Sequence, residues 1–308
     1  MTRHFLTVHD VTSQELGRLL QLAKRCKRDP TYGRRAFAGK TLALVFQKPS
    51  VRTRVSFEVA ASQLGGTATY LGLEDIQLDR REPIKDVART LSRYVAGIVV
   101  RTFHHRLVEE FARFASVSVI NGLTDLHHPC QAVADLFTIQ EHFGRLNGLT
   151  ITYLGDGNNV LHALAQGASL LGVNLYAATP KTYRPNQAIW AEAVRRAKAH
   201  RAQIVWTDQP AEAVREADVL YTDVWTSMGQ EHEREQRLKR FRRFQMTPSL
   251  VRRAKRHCVV MHCLPAHRGE EITEDVLEGS RSIVFDQAEN RLHAQKALLL
   301  MLLGGNTT

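Results

Sequence analysis

Short apolar runs alternate with helix-spaced apolar positions along most of the chain. The run Thr41-Leu42-Ala43-Leu44-Val45-Phe46 has no polar alternation, the pattern of a strand buried on both faces of a parallel sheet. After it, Val55, Phe57, Val59, Ala60 and Leu64 recur at helical spacing and stop at Gly65-Gly66. Upstream, Thr12-Ser13-Gln14-Glu15 is a capping box, and Leu16, Leu19, Leu20 and Ala23 share one face of the helix it opens. The basic stretch from Lys24 to Arg35 reads as a polar connection. Downstream, Thr67–Leu71 is a second strand and Gly97–Val100, ending at Arg101, a third; Val117–Ile120 is a fourth. Helices are expected over Ile84–Tyr94, behind Pro83, and over Leu107–Phe114 and Ala132–Phe143, the last stopped by Gly144.

A second half repeats the alternation. Leu149–Leu154, Val173–Ala177, Ala202–Trp206, Val219–Thr222 and Val259–Met261 read as strands with helices between them, and Ala288–Leu303 as a long terminal helix. The expected fold is α/β, with two doubly wound parallel-sheet domains joined by interdomain helices. The domains are expected at residues 1–145 and 146–287, with helix 288–303 packing back on the first. In such sheets ligands gather at the carboxyl ends of the strands. In the first half those ends carry Ser50 to Arg54, Gln77, Arg101, and His128 with Gln131.

The turn Lys48-Pro49-Ser50-Val51-Arg52-Thr53-Arg54 lies between a strand and a helix, where free N–H groups and the helix dipole favour an anion. Ser50 and Thr53 add hydroxyl donors; Arg52 and Arg54 add guanidinium forks that match phosphate oxygens. A small phosphorylated substrate fits that set, and the bland alternative is a turn with solvated arginines. His128 precedes Pro129, which holds its backbone extended so that its ring can be aimed. His127 is expected to point elsewhere.

Composition narrows the classes. A chain of 308 residues can bury the core of about two domains. No apolar run reaches the ~18 residues of a membrane helix, and Met1 to Asp10 carries no targeting pattern, so a cytoplasmic protein is expected. Cys26, Cys130, Cys258 and Cys263 form no CxxC pair, which suits a reducing compartment. Cys258 and Cys263 with His257, His262 and His267 match no common zinc spacing, and no metal is expected. The net charge is +11 with a pI near 9.8, and much of the excess lies between Arg234 and Arg256. That stripe has few stacking aromatics and is broken by Glu231, Glu233 and Glu235. A solvated helix face is preferred over a nucleic-acid surface, and a positive field also suits anionic substrates.

Gly155-Asp156-Gly157-Asn158-Asn159-Val160 starts like a dinucleotide fingerprint, but Val160 replaces the third glycine and Asp156 sits inside the phosphate turn. Asn158 and Asn159 are either amide contacts for a small polar ligand or plain turn residues. Asp223-Val224-Trp225-Thr226-Ser227-Met228-Gly229 follows a strand end and suits either a loop closing on substrate or a strand-exit turn. Cys263, between a strand and Leu264-Pro265, is a candidate thiol, or a buried strand-end cysteine.

Taken together, Ser50–Arg54, His128–Gln131, Gly155–Asn159, Asp223–Gly229 and His262-Cys263-Leu264-Pro265, in that order, resemble the transcarbamylase family, and most closely its ornithine-directed branch. The resemblance spans essentially the whole chain. It implies carbamoyl phosphate bound by Ser50, the Val51 backbone, Arg52, Thr53 and Arg101, with Gln77 reaching in from a neighbouring subunit of a homotrimer or a multiple of trimers. Arg101, Thr53 and His128 would polarise the carbonyl oxygen. Gln131, Arg291 and the backbone of Cys263 and Leu264 would hold the carbamoyl amino group. Ornithine would lie on Asn159, Asp223, Ser227 and Met228, with Asp223 and Cys263 beside its δ-amine. Arg101, His128, Asp223 and Cys263 are the implied catalytic residues, and no cofactor or metal is implied. The chain departs from the family pattern at Val51, where a threonine is usual, and in Leu78–Glu82, where a glycine is expected near Asp79. Acetylornithine, putrescine and aspartate are the competing amines, and the Asp223–Gly229 signature with Asn159 favours ornithine.

Overall fold

The computed structural model describes residues 2–73, 75–76, 82–227 and 229–304. In chain order the elements are α1 (Ser13–Arg28), β1 (Thr41–Phe46), α2 (Val51–Gln63), β2 (Thr67–Leu71), α3 (Ile84–Tyr94), β3 (Gly97–Arg101), α4 (His105–Phe114), β4 (Ser118–Leu123) and α5 (Pro129–Phe143). There follow β5 (Thr150–Leu154), α6 (Asn159–Leu171), β6 (Asn174–Ala178), α7 (Gln187–Ala197), β7 (Ile204–Thr207), α8 (Pro210–Ala213) and β8 (Val219–Thr222). The chain ends with α9 (Arg234–Phe241), α10 (Pro248–Val251), β9 (Val259–His262), α11 (Glu274–Leu277) and α12 (Val284–Leu303). Two compact units result, Met1–Phe137 with Glu289–Thr308, and Thr138–Ala288. The chain leaves the first unit through α5 and returns to it through α12.

The first unit holds a parallel sheet in the order β2-β1-β3-β4. Its central strands, β1 and β3, are buried almost throughout, whereas the edge strand β2 is half exposed. That is why β1 and β3 read as unbroken apolar runs. The other edge, β4, is covered by Phe5, whose N–H donates to Val119 O and whose carbonyl accepts from Asn121 N. The returning part of α12 is clamped to this unit. Lys296 Nζ donates to Pro30 O at 2.6 Å, Lys27 Nζ to Asn290 Oδ1 at 2.9 Å and Lys40 Nζ to Leu303 O at 3.1 Å. Gly97 is needed there: a Cβ would meet Leu303 Cδ1 at 2.8 Å.

The second unit holds a parallel sheet in the order β7-β6-β5-β8-β9. Helix α6 is buried along nearly its whole length on this sheet. The outer edge, β9, is covered by the segment before α12, through Val260 N to Arg281 O and Ile283 N to Val260 O.

Candidate functional site

In the first unit the strand-end loops converge on Thr53. Ser50 is the N-cap of α2, and its Oγ accepts from Thr53 N at 3.2 Å and donates to Thr53 Oγ1 at 3.0 Å. Thr53 Oγ1 also takes Arg291 Nη2 at 2.7 Å and Arg101 Nη1 at 3.5 Å. Arg291 Nη1 donates to Gln131 Oε1, and Gln131 Nε2 to Asp135 Oδ1. Thus Ser50, Thr53, Arg101, Gln131 and Arg291 form one bonded cluster from four parts of the sequence. Arg101 is aimed by an irregularity: the β3–β4 register shifts between Val100 and Arg101, pairing Arg101 with Leu123.

His128 sits at the N-terminus of α5, its carbonyl accepting from Gln131 N and Ala132 N. Its pKa is driven well below the usual histidine range by burial, then by the charges of Arg291, Arg101 and Arg52. The imidazole is therefore neutral at physiological pH and is able to donate a hydrogen bond without adding charge. Among the described residues His128 Nδ1 has no hydrogen-bond partner. Three guanidiniums around a neutral imidazole at a helix N-terminus make a receptacle for a phosphate and an adjacent polar carbonyl.

Arg54 does not join them. Its Nε donates to Glu58 and its guanidinium lies 3.9 Å over the Tyr70 ring, so the turn offers Arg52 alone as a fork. Val51 is 77% exposed at the first residue of α2, and its backbone N–H is among those a helix start leaves open. Cys130 is buried, its Sγ contacting Asn121 O, and burial pushes its thiol up to about 12, an inert packing role. His127 turns to His105, with ring centroids 4.7 Å apart. Gln77 lies outside the described residues.

In the second unit Asp223 leaves β8 and Cys263 leaves β9, adjacent strands, and Cys263 Sγ donates to Asp223 Oδ1 at 3.1 Å. Asp223 Oδ2 accepts from Asn158 Nδ2 at 2.7 Å. Both Asp223 and Cys263 are buried. Leu264 adopts φ +56, held by its N–H to His262 Nδ1 at 2.9 Å, while His262 Nε2 faces Glu271 Oε1 at 2.9 Å. An accepting Nδ1 puts the ring proton on Nε2, donating to Glu271. Asn159 opens α6 and is half-buried; Ser227 is half-buried, its N–H donating to Gln230 Oε1. Met228 lies outside the described residues.

Among the described residues two side-chain groups have donor atoms close enough for a cation, Asp223 with His262 and Cys263, and His267 with Glu270 and Glu271. In the first, both ring nitrogens of His262 and the Cys263 thiol already have protein partners.

The incomplete glycine motif has a local explanation. A Cβ on Gly157 would lie 2.3 Å from Arg184 C and 2.4 Å from Pro185 N, so the close approach this glycine permits is made by the chain's own backbone. Asp156 is paired with Arg237 at 3.0 Å. Arg237 also donates to Glu233 and to Trp225 O, tying the base of the Asp223–Gly229 loop to the sheet. Arg237 lies in the basic stripe expected to be solvated, yet it is buried. Its partner is 81 residues away in sequence, which no local pattern signals.

Residues 3–141 match the carbamoyl-P binding domain of aspartate/ornithine carbamoyltransferase, and residues 147–302 match its Asp/Orn binding domain. The chain belongs to the aspartate/ornithine carbamoyltransferase family. It is 52% identical to an ornithine carbamoyltransferase of Archaeoglobus fulgidus over 304 residues, 98% of each chain. It is 50% identical to an ornithine carbamoyltransferase of Pyrococcus furiosus described as anabolic, over 98% of this chain and 97% of that one. The solved structure of an ornithine carbamoyltransferase from Pyrococcus furiosus superposes with a TM-score of 0.95, covering 98% of this chain and 97% of that one. For a carbamoyltransferase the first cluster is of the right charge and the second of the right acceptor chemistry.

Proposed function

We infer that this enzyme transfers the carbamoyl group of carbamoyl phosphate to the δ-amine of L-ornithine, giving citrulline and phosphate. The observation that carries this reading is the Thr53-centred cluster, in which Arg101 and Arg291 meet one hydroxyl beside the neutral His128. A phosphate dianion is held by Ser50, the Val51 N–H, Arg52, Thr53 and Arg101. Arg101, Thr53 and His128 stabilise charge on the carbonyl oxygen as the tetrahedral transition state forms. Gln131 Oε1 accepts from the carbamoyl amino group, and Arg291, which donates to that same oxygen and to Thr53, keeps the acceptor in place.

Ornithine binds through Asn159, Asp223, Ser227 and Met228. A free alkylammonium has a pKa near 10.4, so only about one molecule in 2,500 is neutral at pH 7. The amine must lose a proton before it attacks. Asp223, already accepting from the Cys263 thiol, is the acceptor this unit provides for it. The departing phosphate takes up a proton, and the reaction needs no oxidant or organic cofactor.

The working assembly is a homotrimer, or a multiple of it, in which Gln77 serves a neighbouring subunit's site. Support comes from apolar exposure beside the phosphate turn: Val51 and Val55, one helical turn apart, are 77% and 49% exposed, and Leu73 after β2 is 58% exposed. Among the described residues no helix is long and apolar enough to cross a membrane, and the enzyme works in the cytoplasm in arginine biosynthesis. The test of the reaction is the release of one phosphate per citrulline formed from carbamoyl phosphate and ornithine.

A further inference from the structure

Asn158 is the N-cap of α6, and its two side-chain ends do different things. Oδ1 accepts from Val160 N at 3.0 Å, Leu161 N at 3.2 Å and the Tyr153 hydroxyl at 3.2 Å. Nδ2 donates to Asp223 Oδ2 at 2.7 Å. An amide nitrogen cannot accept, so three donors meeting on one atom decide which end faces Asp223. A flipped amide would set its NH2 against two N–H groups and would face a carboxylate with an oxygen. The orientation is thus dictated by the helix start itself.

Asp223 is held from both sides, by Cys263 Sγ on Oδ1 and by Asn158 on Oδ2. Tyr153 behind Asn158 is buried and stacks on Tyr221, with centroids 5.8 Å apart, so the amide has a rigid backing. The neighbouring carboxylate, Asp156, is engaged by Arg237. An amide suits this place because it donates to a carboxylate and cannot ionise.

We propose that Asn158 is a positioning residue for carbamoyl transfer, an N-cap whose amide N–H fixes the Asp223 carboxylate in the orientation that receives the amine of the amino-acid substrate. This rests on the reading above that Asp223 meets ornithine. One side chain then performs two separable tasks, starting a helix and aiming an acceptor.

Substitutions separate them, because Ser and Asp cap helices about as well as Asn. Asn158→Ser keeps the cap but is too short to reach Asp223. Asn158→Asp keeps the cap and places a second carboxylate against the first. Asn158→Ala loses both tasks. Steady-state kinetics on the full-length enzyme, with thermal melts of all three variants, is the experiment. Asn158→Ser is expected to melt near wild type, Asn158→Asp lower at neutral pH because the carboxylate pair repels, and Asn158→Ala lower for want of the cap. Asn158→Ser loses about 10- to 100-fold in kcat/KM for ornithine, the scale of a misplaced reacting group, with KM for carbamoyl phosphate unchanged. Asn158→Asp loses more, and the acid limb of its kcat/KM profile moves to higher pH, since two adjacent carboxylates resist double ionisation. The proposal is overturned if Asn158→Ser and Asn158→Asp keep kcat/KM for ornithine within about threefold of wild type. It is also overturned if activity across the three variants simply follows melting temperature, a purely structural role. A wild-type enzyme that forms no citrulline overturns the underlying reading and this proposal with it; an active wild type with unaffected variants overturns the proposal alone.

Discussion

The thiol of Cys263 donates to Asp223 Oδ1 across 3.1 Å, joining the exits of two adjacent strands, β9 and β8. The contact occupies one carboxylate oxygen while Asn158 Nδ2 occupies the other, and on the proposed reading it sets a polarisable sulfur beside the attacking amine. Cys263→Ala removes the donor and is expected to lower kcat by about 100-fold or more, the scale of one proton-transfer partner. Cys263→Ser retains an O–H and should lose less. Unchanged turnover in Cys263→Ala would remove the thiol from the reaction.

Thr53 Oγ1 is the meeting point of Ser50, Arg101 and Arg291. Thr53→Val keeps the shape and deletes that meeting point. Hydrogen bonds to charged groups are worth about 1.5–3 kcal/mol, so carbamoyl phosphate should bind about 10- to 100-fold more weakly. Calorimetric titration with carbamoyl phosphate measures it; equal affinity would show that the hydroxyl does not order the arginines.

Burial and the charges of Arg291, Arg101 and Arg52 hold His128 neutral, its pKa well below the unfolded value of 6.5. As pH falls below 6.5 the unfolded chain takes up a proton there that the native chain refuses, so the native state loses stability in acid. His128→Gln should lose less stability than wild type between pH 6.5 and pH 5, read from melting temperatures across that window. The same variant, lacking the imidazole donor at the carbonyl oxygen, should lose about 100- to 1,000-fold in kcat. A parallel pH dependence of the two melting curves would contradict the neutral assignment.

Arg237 is a buried cation paired with Asp156, whose carboxyl burial pushes up to about 6 against the pull of that guanidinium. A folded pKa above the unfolded value means that stability from this group is greatest at low pH and declines as pH rises from about 4 through 6. Arg237→Gln leaves the carboxylate buried without its cation, at a cost of about 3–5 kcal/mol, and the deficit should grow with rising pH. Asp156→Asn in the same chain should recover part of it. A pH-independent deficit would place the cost in packing instead.

Turnover should rise between pH 6 and pH 8 as the neutral fraction of the δ-amine grows. A flat profile over that range would mean that amine deprotonation is not limiting.

Much of the fold was legible because each strand buried on both faces must be apolar throughout. Thr41–Phe46 and Val219–Thr222, buried almost throughout, and the half-exposed edge strand Thr67–Leu71 are strands at the bounds their sequence predicts. The strand-to-helix turn at Ser50–Arg54 was legible too, since a strand end, a serine and basic residues lie within seven positions, although Arg54 turns to Glu58 and Tyr70. Ile84–Tyr94 is likewise a helix at its expected bounds, and other boundaries moved for local reasons. Helix α5 begins at Pro129 rather than Ala132, the proline taking the first helical position where its missing N–H costs nothing. Helix α1 continues to Arg28 through residues read as a connection, because Lys, Arg and Cys all continue a helix whose inner face still buries Cys26. What no local pattern could supply was pairing at a distance. Arg237 looked like one more solvated arginine, and Asn158 looked like a ligand contact or a turn residue. Their partners, Asp156 and Asp223, are brought to them only by the order of strands in the second sheet.

The most direct measurement is citrulline formation from carbamoyl phosphate and ornithine, with acetylornithine, putrescine and aspartate assayed in parallel at equal concentration. Carbamoylation of ornithine, with the other three amines left unmodified, is the predicted result. Preferential carbamoylation of another amine would contradict the assignment of Asp223, Ser227 and Asn159 to ornithine while leaving the carbamoyl phosphate cluster standing.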